Sequence, residues 1–369
     1  MDSTSLTNFV ESVCNESHLR VETDLGSGFV RLKSEEAERR QAAHDIRTTE
    51  DALIELLRNS RDAHAHSIFI ATSKSERVRK LLVIDDGDGI PDFMKELVFE
   101  PRVTSKLDTM HFDKWGVHGR GMALYAVRTN AQACGVVQSQ PGAGTALFAD
   151  FNTDTVSEKT DQSTFPAFSL NENNRISVRG PKNIIRTSCE FAFEHRNSVS
   201  VYLGSPVEIA ATLYAYGKAT LSLLDRTFMH DGNEIVITKK LALAADEESF
   251  CEIAQSMGIE LSTRSAYRIM GGQIPPIDSL LDQIQDSLLQ QKAKPPARSS
   301  KKGHEAAPKG KRKPVSFTAD DLSDFTTRVK EDYQELAKAY YLAKDVDVYA
   351  QVRGDALIVR IPLASDDSL

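Results

Sequence analysis

The order of hydrophobic periodicities between residues 34 and 151 constrains the fold most strongly. Apolar residues recur at spacings of three and four over residues 34–65 and 122–132, which predicts two helices. Strand-like patterns follow each helix, at residues 67–72, 80–84, 135–138 and 145–151. This order predicts an α+β sandwich in which helices cover one face of a sheet. Alternation on both sides of Gly26-Ser27-Gly28 adds a β-hairpin before the first helix.

A basic, proline-rich segment divides the rest of the chain. Residues 292–314 contain nine Lys or Arg, one Glu and four Pro, and no aliphatic residue larger than Ala. Such a segment cannot bury a core and is predicted to be disordered. We therefore predict four parts: an α+β domain over residues 1–152, a second α+β domain of unknown role over 153–289, a basic disordered linker over 290–315, and an amphipathic helix plus β-hairpin over 316–369.

Composition excludes several classes of protein. No apolar run approaches the roughly 18 residues that span a bilayer, and the start of the chain lacks the pattern of a secretory signal. The four cysteines have no CxxC spacing, which favours reduced thiols in a cytoplasmic protein. A formal net charge of -8 argues against a globally basic nucleic-acid binder. We expect a cytoplasmic protein without a membrane partner.

The stretch "ALIELLRNSRDAHA", residues 52–65, places Glu55 and Asn59 four residues apart on the first helix. Both side chains therefore project from one face. A carboxamide oxygen can ligate Mg²⁺, and a carboxylate can orient or deprotonate a water molecule. The alternative is a solvated polar stripe on an amphipathic helix.

The stretch "IDDGDGIP", residues 84–91, follows the apolar run of a strand. Gly87 and Gly89 permit positive φ and the close approach of a ligand to Asp85. A surface turn is the simpler alternative. A calcium loop is disfavoured, because an EF-hand needs a Glu at its twelfth position and none falls there.

Two further stretches suit phosphate binding. "FEPRVTSK", residues 99–106, offers Thr104 and Lys106. "GVHGRGMALYAV", residues 116–127, leads from three glycines into an apolar helix, where backbone N–H groups can meet an anion. The glycine stretch is not a Walker A motif, because no Gly-Lys-Ser/Thr closes it. "HFDKW" before it is not predicted as the β-strand that a dinucleotide fingerprint requires.

In this order the motifs, together with "PGAGTALF" at residues 141–148, resemble the GHKL ATPase superfamily. That group comprises gyrase-type topoisomerases, large heat-shock chaperones, sensor histidine kinases and MutL-type repair proteins. The resemblance covers residues 45–151 and implies a Bergerat-type α/β sandwich that binds ATP and Mg²⁺.

The resemblance also implies roles for individual residues. Asp85 would accept a hydrogen bond from the adenine amino group, Gly89 would line the base pocket, and Asn59 would hold Mg²⁺. Gly119 and Gly121 would present amides to the β- and γ-phosphates. The remaining nucleotide-binding residues implied by the motifs are Asp62, Ala63, Gly87, Ile90, Thr104, Lys106, Gly116, His118, Arg120, Met122 and Thr145.

The motifs point to two branches of the superfamily. "FEP", "GRGMALYAVR" and "SQPGAGTALF" resemble histidine kinases, whereas "ELLRNSRDAHA" resembles MutL. Typical histidine kinases carry Asn at the position of Glu55, and hydrolytic branches carry a Glu that activates water. His44, in "HDIRTT", resembles a phospho-accepting box, but it precedes Glu55 by only eleven residues and is predicted as a helix-entry residue. Lys239 or Lys240 is a candidate for reaching the γ-phosphate from the second domain.

We therefore predict a Mg²⁺-dependent ATP-binding protein. It would be a slow ATPase with Glu55 as catalytic base, in which closure of a lid over residues 116–122 drives a conformational or homodimerisation switch. DNA is the predicted partner through residues 292–314, whose charges could track phosphates. The alternatives are a protein kinase of the histidine-kinase-like type and a module that senses ATP without hydrolysing it.

Overall fold

The computed structural model describes most of the chain. The described residues are 21–33, 36–105, 111–113, 116–118, 121–170, 176–221, 235–293, 325–330, 333–334, 337, 346, 348–353 and 356–361. The chain divides into two compact units, Met1–Pro296 and Ala297–Leu369.

The elements of the first unit alternate along the chain. Its strands are β1 (Val21–Gly26), β2 (Phe29–Leu32), β3 (Ser67–Ser75), β4 (Val78–Asp85), β5 (Val103–Thr104), β6 (His111–Asp113), β7 (Gly116–His118), β8 (Ala133–Ser139), β9 (Thr145–Asn152), β10 (Ala167–Leu170), β11 (Ile176–Arg179) and β12 (Ser200–Gly204). Its α-helices are α1 (Glu36–Asp45), α2 (Thr49–Asp62), α3 (Ala123–Asn130), α4 (Ile184–Glu194), α5 (Pro206–Thr220), α6 (Glu247–Ser256), α7 (Thr263–Met270) and α8 (Leu280–Ala293). Short 3-10 helices cover Asp92–Met94, Leu97–Phe99 and Ile237–Leu243.

A five-stranded mixed sheet organises this unit, with strand order β12-β3-β4-β9-β8. β12 runs parallel to β3, and the other neighbours are antiparallel. The register places Asp85 opposite Ile68 on one side and opposite Thr145 on the other. The end of β4, from which "IDDGDGIP" continues, therefore lies in the middle of the sheet.

Helices cover both faces of the sheet, whereas the sequence analysis predicted one covered face. In β4, Leu81 and Val83 face a core shared with α2, α3, α4 and α8. Leu82 and Ile84 face a second core shared with α5, α6, α7 and the 3-10 helix Ile237–Leu243. Consecutive apolar residues within one strand are typical of sheets buried on both faces, and this explains the difference.

The predicted boundary after residue 152 also differs from the structure. β12 lies beyond that boundary and is an edge strand of the same sheet, with Val201 and Tyr202 opposite Ile68 and Phe69. Helices α4 and α5 on either side of it supply apolar residues to the two cores. Residues 153–289 thus share one compact unit with the predicted nucleotide-binding segment.

The predicted first helix is divided into α1 and α2. Thr48 interrupts it, because its extended backbone and its side chain form the N-cap of α2. The Thr48 side chain accepts from the Asp51 N–H, and the Asp51 carboxylate accepts from the Thr48 N–H at 2.8 Å, which is a capping box. Such a cap fixes where α2 begins.

The part predicted as a second α+β domain contains the 3-10 helix Ile237–Leu243. Its buried residues are Ile237 and Thr238, followed by Lys240, Leu241 and Ala242, and they lack the alternation of a half-exposed strand. The Ile237 N–H donates to the carbonyl of Ala143 at 2.8 Å. This hydrogen bond joins the 3-10 helix to the turn between β8 and β9.

In the second unit, β13 (Tyr349–Arg353) pairs with β14 (Ala356–Arg360) as an antiparallel hairpin. Residues 325–330 and 333–334 are helical, and Tyr333 and Ala337 are buried with Val346. The predicted linker lies outside the described residues beyond residue 293. Within the described ranges, no helix combines the length and the apolar character needed to cross a bilayer.

The described cysteines, Cys134, Cys189 and Cys251, are free thiols. Burial raises the pKa of Cys134 and of Cys189 to about 12, so that both thiols stay protonated at neutral pH. Because the thiolate is the reactive form, these two cysteines are poor nucleophiles.

A truncation tests the single-unit organisation. A fragment that ends at residue 152 lacks β12, α4 and α5 and would expose Phe69 and Ile84 of the second core. We expect it to aggregate or to lose cooperative thermal unfolding, whereas a fragment that ends at Pro296 should unfold cooperatively. Circular dichroism melts and size-exclusion chromatography measure this. Cooperative unfolding of the shorter fragment would restore the boundary at residue 152.

Candidate functional site

A cavity of about 510 Å³ lies between α2, α3 and the central strands. This volume falls within the roughly 300–1,000 Å³ range of small-molecule sites. The predicted site residues that line it are Glu55, Asn59, Asp62, Ala63, Asp85, Gly89, Ile90, Thr104, Gly121, Met122 and Thr145. The structure thus brings residues from five separate stretches of sequence to one cavity.

The polar stripe on α2 faces the cavity. Asp51, Glu55 and Asn59 follow one another at intervals of four residues, are partly exposed and line the cavity. The residues that separate them, 52–54 and 56–58, are buried. A stripe on a surface helix would face bulk solvent instead, so the solvated-stripe alternative does not describe this helix.

Asp85 is buried at the end of β4, where two donors orient its carboxylate. Ser60 Oγ on α2 donates to Oδ2 at 2.8 Å, and the Gly87 N–H donates to Oδ1 at 3.0 Å. Helix α2 and strand β4 therefore meet at this carboxylate. Sequence reasoning did not select Ser60 as a site residue, because its position on the helix does not identify the partner of its hydroxyl group.

The turn after Asp85 needs glycine at position 89. Gly89 has φ of +74°, and a Cβ there would lie 1.8 Å from the carbonyl oxygen of Gln140. The following Ile90 N–H donates to Ser139 Oγ at 2.7 Å, and Ser139 shares a hydrogen bond of 2.9 Å with Thr145 Oγ1. The turn is thus fastened to the loop between β8 and β9, and Ser139 is another residue that sequence reasoning missed.

The neighbouring carboxylates do not form a calcium loop. Asp86 Oδ1 accepts from the backbone N–H groups of His66 and Ser67 at 2.7 and 2.8 Å, and Asp88 pairs with His64. Each carboxylate thus has a different set of partners. Among the described residues, no group of three or more His, Cys, Asp or Glu side chains could hold a metal ion.

The glycine-rich stretch is described in part. Gly116 and His118 belong to β7, which pairs with β6, whereas Lys106, Gly119 and Arg120 lie outside the described residues. Residues 111–113 of "HFDKW" thus form a short strand, contrary to the sequence analysis. Its partner is the glycine stretch itself, in an antiparallel hairpin, so the parallel strand-turn-helix unit of a dinucleotide site is not formed.

Gly121 and Met122 connect this stretch to α3. Gly121 has φ of +66°, and its carbonyl accepts from the Arg102 N–H at 2.8 Å. Met122 is the N-cap residue of α3 and lines the cavity. Thr104, in β5, pairs with Val30 of β2, so that the hairpin β1–β2 forms a three-stranded sheet at the cavity wall and contributes Phe29 to the lining.

A buried arginine stands beside Glu55. Arg58 Nη1 donates to Glu55 Oε1 at 2.5 Å, and both residues line the cavity. The Arg58 side chain is 3% exposed and that of Glu55 is 19% exposed. Sequence reasoning did not select Arg58, although its spacing of three from Glu55 permits the contact.

Three other residues considered from the sequence, Lys239, Lys240 and His44, do not line the cavity. Lys239 and Lys240 belong to the 3-10 helix that packs on the opposite face of the sheet, and burial lowers the pKa of Lys240. The sheet separates them from Glu55, so neither is placed to reach a phosphate there. His44 is exposed in the last turn of α1, a different helix from α2.

Comparison with known proteins agrees with this architecture. Residues 46–179 match the family described as histidine kinase-, DNA gyrase B-, and HSP90-like ATPase. This segment is similar to the GHKL type of ATP-binding domain. The chain is also 39% identical over 88 residues to the DNA mismatch repair protein MutL from each of two strains of Thermus thermophilus. The aligned part covers 23% of this chain and only 15% of each relative's length.

The match confirms the resemblance to the GHKL ATPase superfamily and supports ATP binding. It extends through β11, past the end of the motifs at residue 151. The roles of the individual cavity residues remain predictions.

A pair of glycine substitutions tests the turn at the cavity. Gly89 and Gly142 share φ of +74°, but a Cβ at Gly142 meets nothing within 4 Å. Gly142→Ala should cost about 1–2 kcal/mol of unfolding free energy, the left-handed penalty alone. Gly89→Ala should cost more, because the Gln140 carbonyl must also move. Urea unfolding measures both, and equal losses would show that the close approach is unimportant.

Proposed function

We propose that this protein binds ATP with Mg²⁺ in the cavity and hydrolyses it slowly. The observation that carries the proposal is the arrangement of Glu55 and Asn59 on the cavity face of α2, with the oriented Asp85 carboxylate at the end of β4. Nucleotide hydrolysis requires a group that recognises the base, a ligand for the metal ion and a general base. Asp85, Asn59 and Glu55 could supply these in turn. The GHKL-type match over residues 46–179 supports the same assignment.

Asp85 would recognise the base. Its carboxylate is held by Ser60 and Gly87, so it can accept a hydrogen bond from an exocyclic amino group without first reorganising. A purine with a carbonyl at that position would present an oxygen to a carboxylate and be rejected. The close contact of Gly89 with Gln140 would keep the floor of the base pocket flat.

Asn59 would hold the metal. Mg²⁺ usually takes one or two protein ligands and fills its other positions with water and substrate phosphates. A single carboxamide in the cavity fits that pattern. When bound, Mg²⁺ would neutralise charge on the β- and γ-phosphates.

Glu55 would be the general base. It lies one helical turn before Asn59 on the cavity face of α2, so its carboxylate could reach a water molecule in the cavity. Its carboxylate would take the proton of that water as the oxygen attacks the γ-phosphorus and the bond to the β-phosphate oxygen breaks. The products are ADP and inorganic phosphate.

Residues 116–122 would form a lid that responds to the γ-phosphate. A ligand shifts a conformational equilibrium only through different contacts with the two states. ATP and ADP differ by the γ-phosphate alone, so lid closure would distinguish them by contacts at that group. We propose that closure drives a conformational or dimerisation switch.

Replacement of Glu55 tests hydrolysis. Glu55→Ala should lower turnover about 10²- to 10⁴-fold, the usual range for a lost general base, while ATP still binds. Phosphate release and calorimetric titration measure the two properties. Asp85→Asn should instead weaken ATP binding, which the calorimetric titration measures. Unchanged phosphate release by Glu55→Ala would refute the proposed base.

The same experiment separates the alternatives. Transfer of labelled γ-phosphate to this protein or to an added protein, without release of inorganic phosphate, would indicate a kinase. Tight ATP binding with neither release nor transfer by the wild-type protein would indicate a module that senses nucleotide. Both outcomes would overturn the assignment as a hydrolase.

DNA is the proposed partner. The matched relatives are named as DNA mismatch repair proteins, and the chain carries a basic segment at residues 292–314. Lys and Arg that neutralise phosphates release counterions, so the affinity would fall steeply with salt. Such binding would be independent of base sequence.

Removal of residues 292–314 tests this partner. At about 50 mM salt the deletion should weaken DNA binding at least tenfold and reduce the dependence of affinity on salt. A matched control replaces the segment with a Gly/Ser linker of equal length. Fluorescence anisotropy with a labelled duplex measures the affinity, and an unchanged value for both variants would remove this segment as the DNA contact.

A further inference from the structure

The buried arginine beside Glu55 suggests how the proposed base is held. We infer that Arg58 is a positioning residue, which fixes the Glu55 carboxylate in the orientation needed to take a proton from water. This inference rests on the proposed hydrolysis. It starts from the 2.5 Å contact between Arg58 Nη1 and Glu55 Oε1 at the cavity wall.

The geometry of the pair favours positioning. A glutamate side chain has three rotatable bonds, so an unrestrained carboxylate samples several orientations. The Arg58 guanidinium is a planar fork of donors, and its side chain is almost fully buried. A donor that is itself held by packing can restrict the carboxylate to one orientation.

Burial separates this pair from ordinary helical ion pairs. Arg40 and Glu36, on α1, are joined at 3.1 Å, but their side chains are 77% and 67% exposed. Exposed pairs of that kind contribute little, because water competes for both groups. In contrast, loss of Arg58 would remove a buried counter-charge from Glu55 and widen the range of orientations open to its carboxylate.

The chain offers a matched control pair. Arg79 Nε donates to Glu158 Oε2 at 2.7 Å, with side chains that are 9% and 8% exposed. Burial raises the pKa of Glu158, but the hydrogen bonds from Arg79 and Lys74 outweigh this effect, and the net pKa is lowered. Neither residue lines the cavity. The effect of replacing Arg79 therefore shows what the loss of a buried ion pair does away from the cavity.

The experiment compares Arg58→Gln, Arg58→Lys and Arg79→Gln in the full chain. Arg58→Gln should lower kcat about 10- to 100-fold, because a small misplacement of a reacting group is that costly, with KM for ATP within about threefold. Arg58→Lys, which keeps the charge, should recover part of kcat. Arg79→Gln should lower the melting temperature and leave kcat within about twofold.

A double substitution supplies the decisive readout. If Arg58 acts only through Glu55, Arg58→Gln should cause no further loss of turnover in a Glu55→Gln background. Additive losses would overturn the inference, and so would a raised KM with normal kcat, which indicates direct phosphate binding. If Arg58→Gln fails to fold, Arg58→Lys replaces it: a kcat equal to the wild-type value, or a loss that adds to that of Glu55→Gln, overturns the inference.

Failure of this inference can be told from failure of the proposed function. Wild-type turnover with unchanged kcat in folded Arg58→Gln removes the role of Arg58 and leaves the ATPase intact. Absence of turnover in the wild-type protein removes the ATPase, and the positioning role falls with it.

Discussion

The hydrogen bond from Ser60 Oγ to Asp85 joins the two elements on which the site depends. It connects the last turn of α2 to the end of β4 at 2.8 Å, in a buried location. A hydrogen bond to a charged group contributes about 1.5–3 kcal/mol, and a buried carboxylate without donors would be costly. The same contact therefore holds the fold together and places Glu55 and Asn59 opposite Asp85.

The second constraint is the register of β4 with β9. Because Asp85 lies opposite Thr145, the loops that follow β4 and precede β9 meet at the same sheet end. Ser139 then binds Ile90 and Thr145 together, and Gly89 is pressed against Gln140. A slip of one residue would turn the Asp85 carboxylate to the opposite face of the sheet.

Much of the cavity could be predicted from sequence because each motif carries its own local signal. The helical spacing from Glu55 to Asn59 and the glycines around Asp85 place side chains without tertiary information. Ser60 and Ser139 could not be found in this way, since their partners come from strand register and tertiary packing. The spacing from Glu55 to Arg58 is local, but the burial of Arg58 is not visible in the sequence. Adjacent apolar residues such as Leu82 and Val83 in β4 pack on opposite faces of the sheet, but periodicity alone did not show that both faces are covered.

The boundary after residue 152 failed for a related reason. The polar stretch over residues 152–164 resembles a linker in composition, but Glu50 accepts hydrogen bonds from Gln162 and Lys159, so this stretch is held against α2. Composition reports whether a segment could form a core of its own. It does not report whether neighbouring elements supply the missing hydrogen-bond partners.

Because helices cover both faces of the sheet, a nucleotide bound in the cavity has few ways to change the conformation of distant parts of the fold. The face opposite the cavity is filled by α5, α6, α7 and the 3-10 helix, and Ile237 holds Ala143 in place from that side. A packed layer of this kind resists continuous deformation. Mechanical work done at the cavity is therefore transmitted more readily to the small sheet β1-β2-β5, in which strand β1 is largely exposed and strand β5 has two residues. We therefore expect the hairpin β1–β2 to move more than the helices on the opposite face of the sheet when a nucleotide binds.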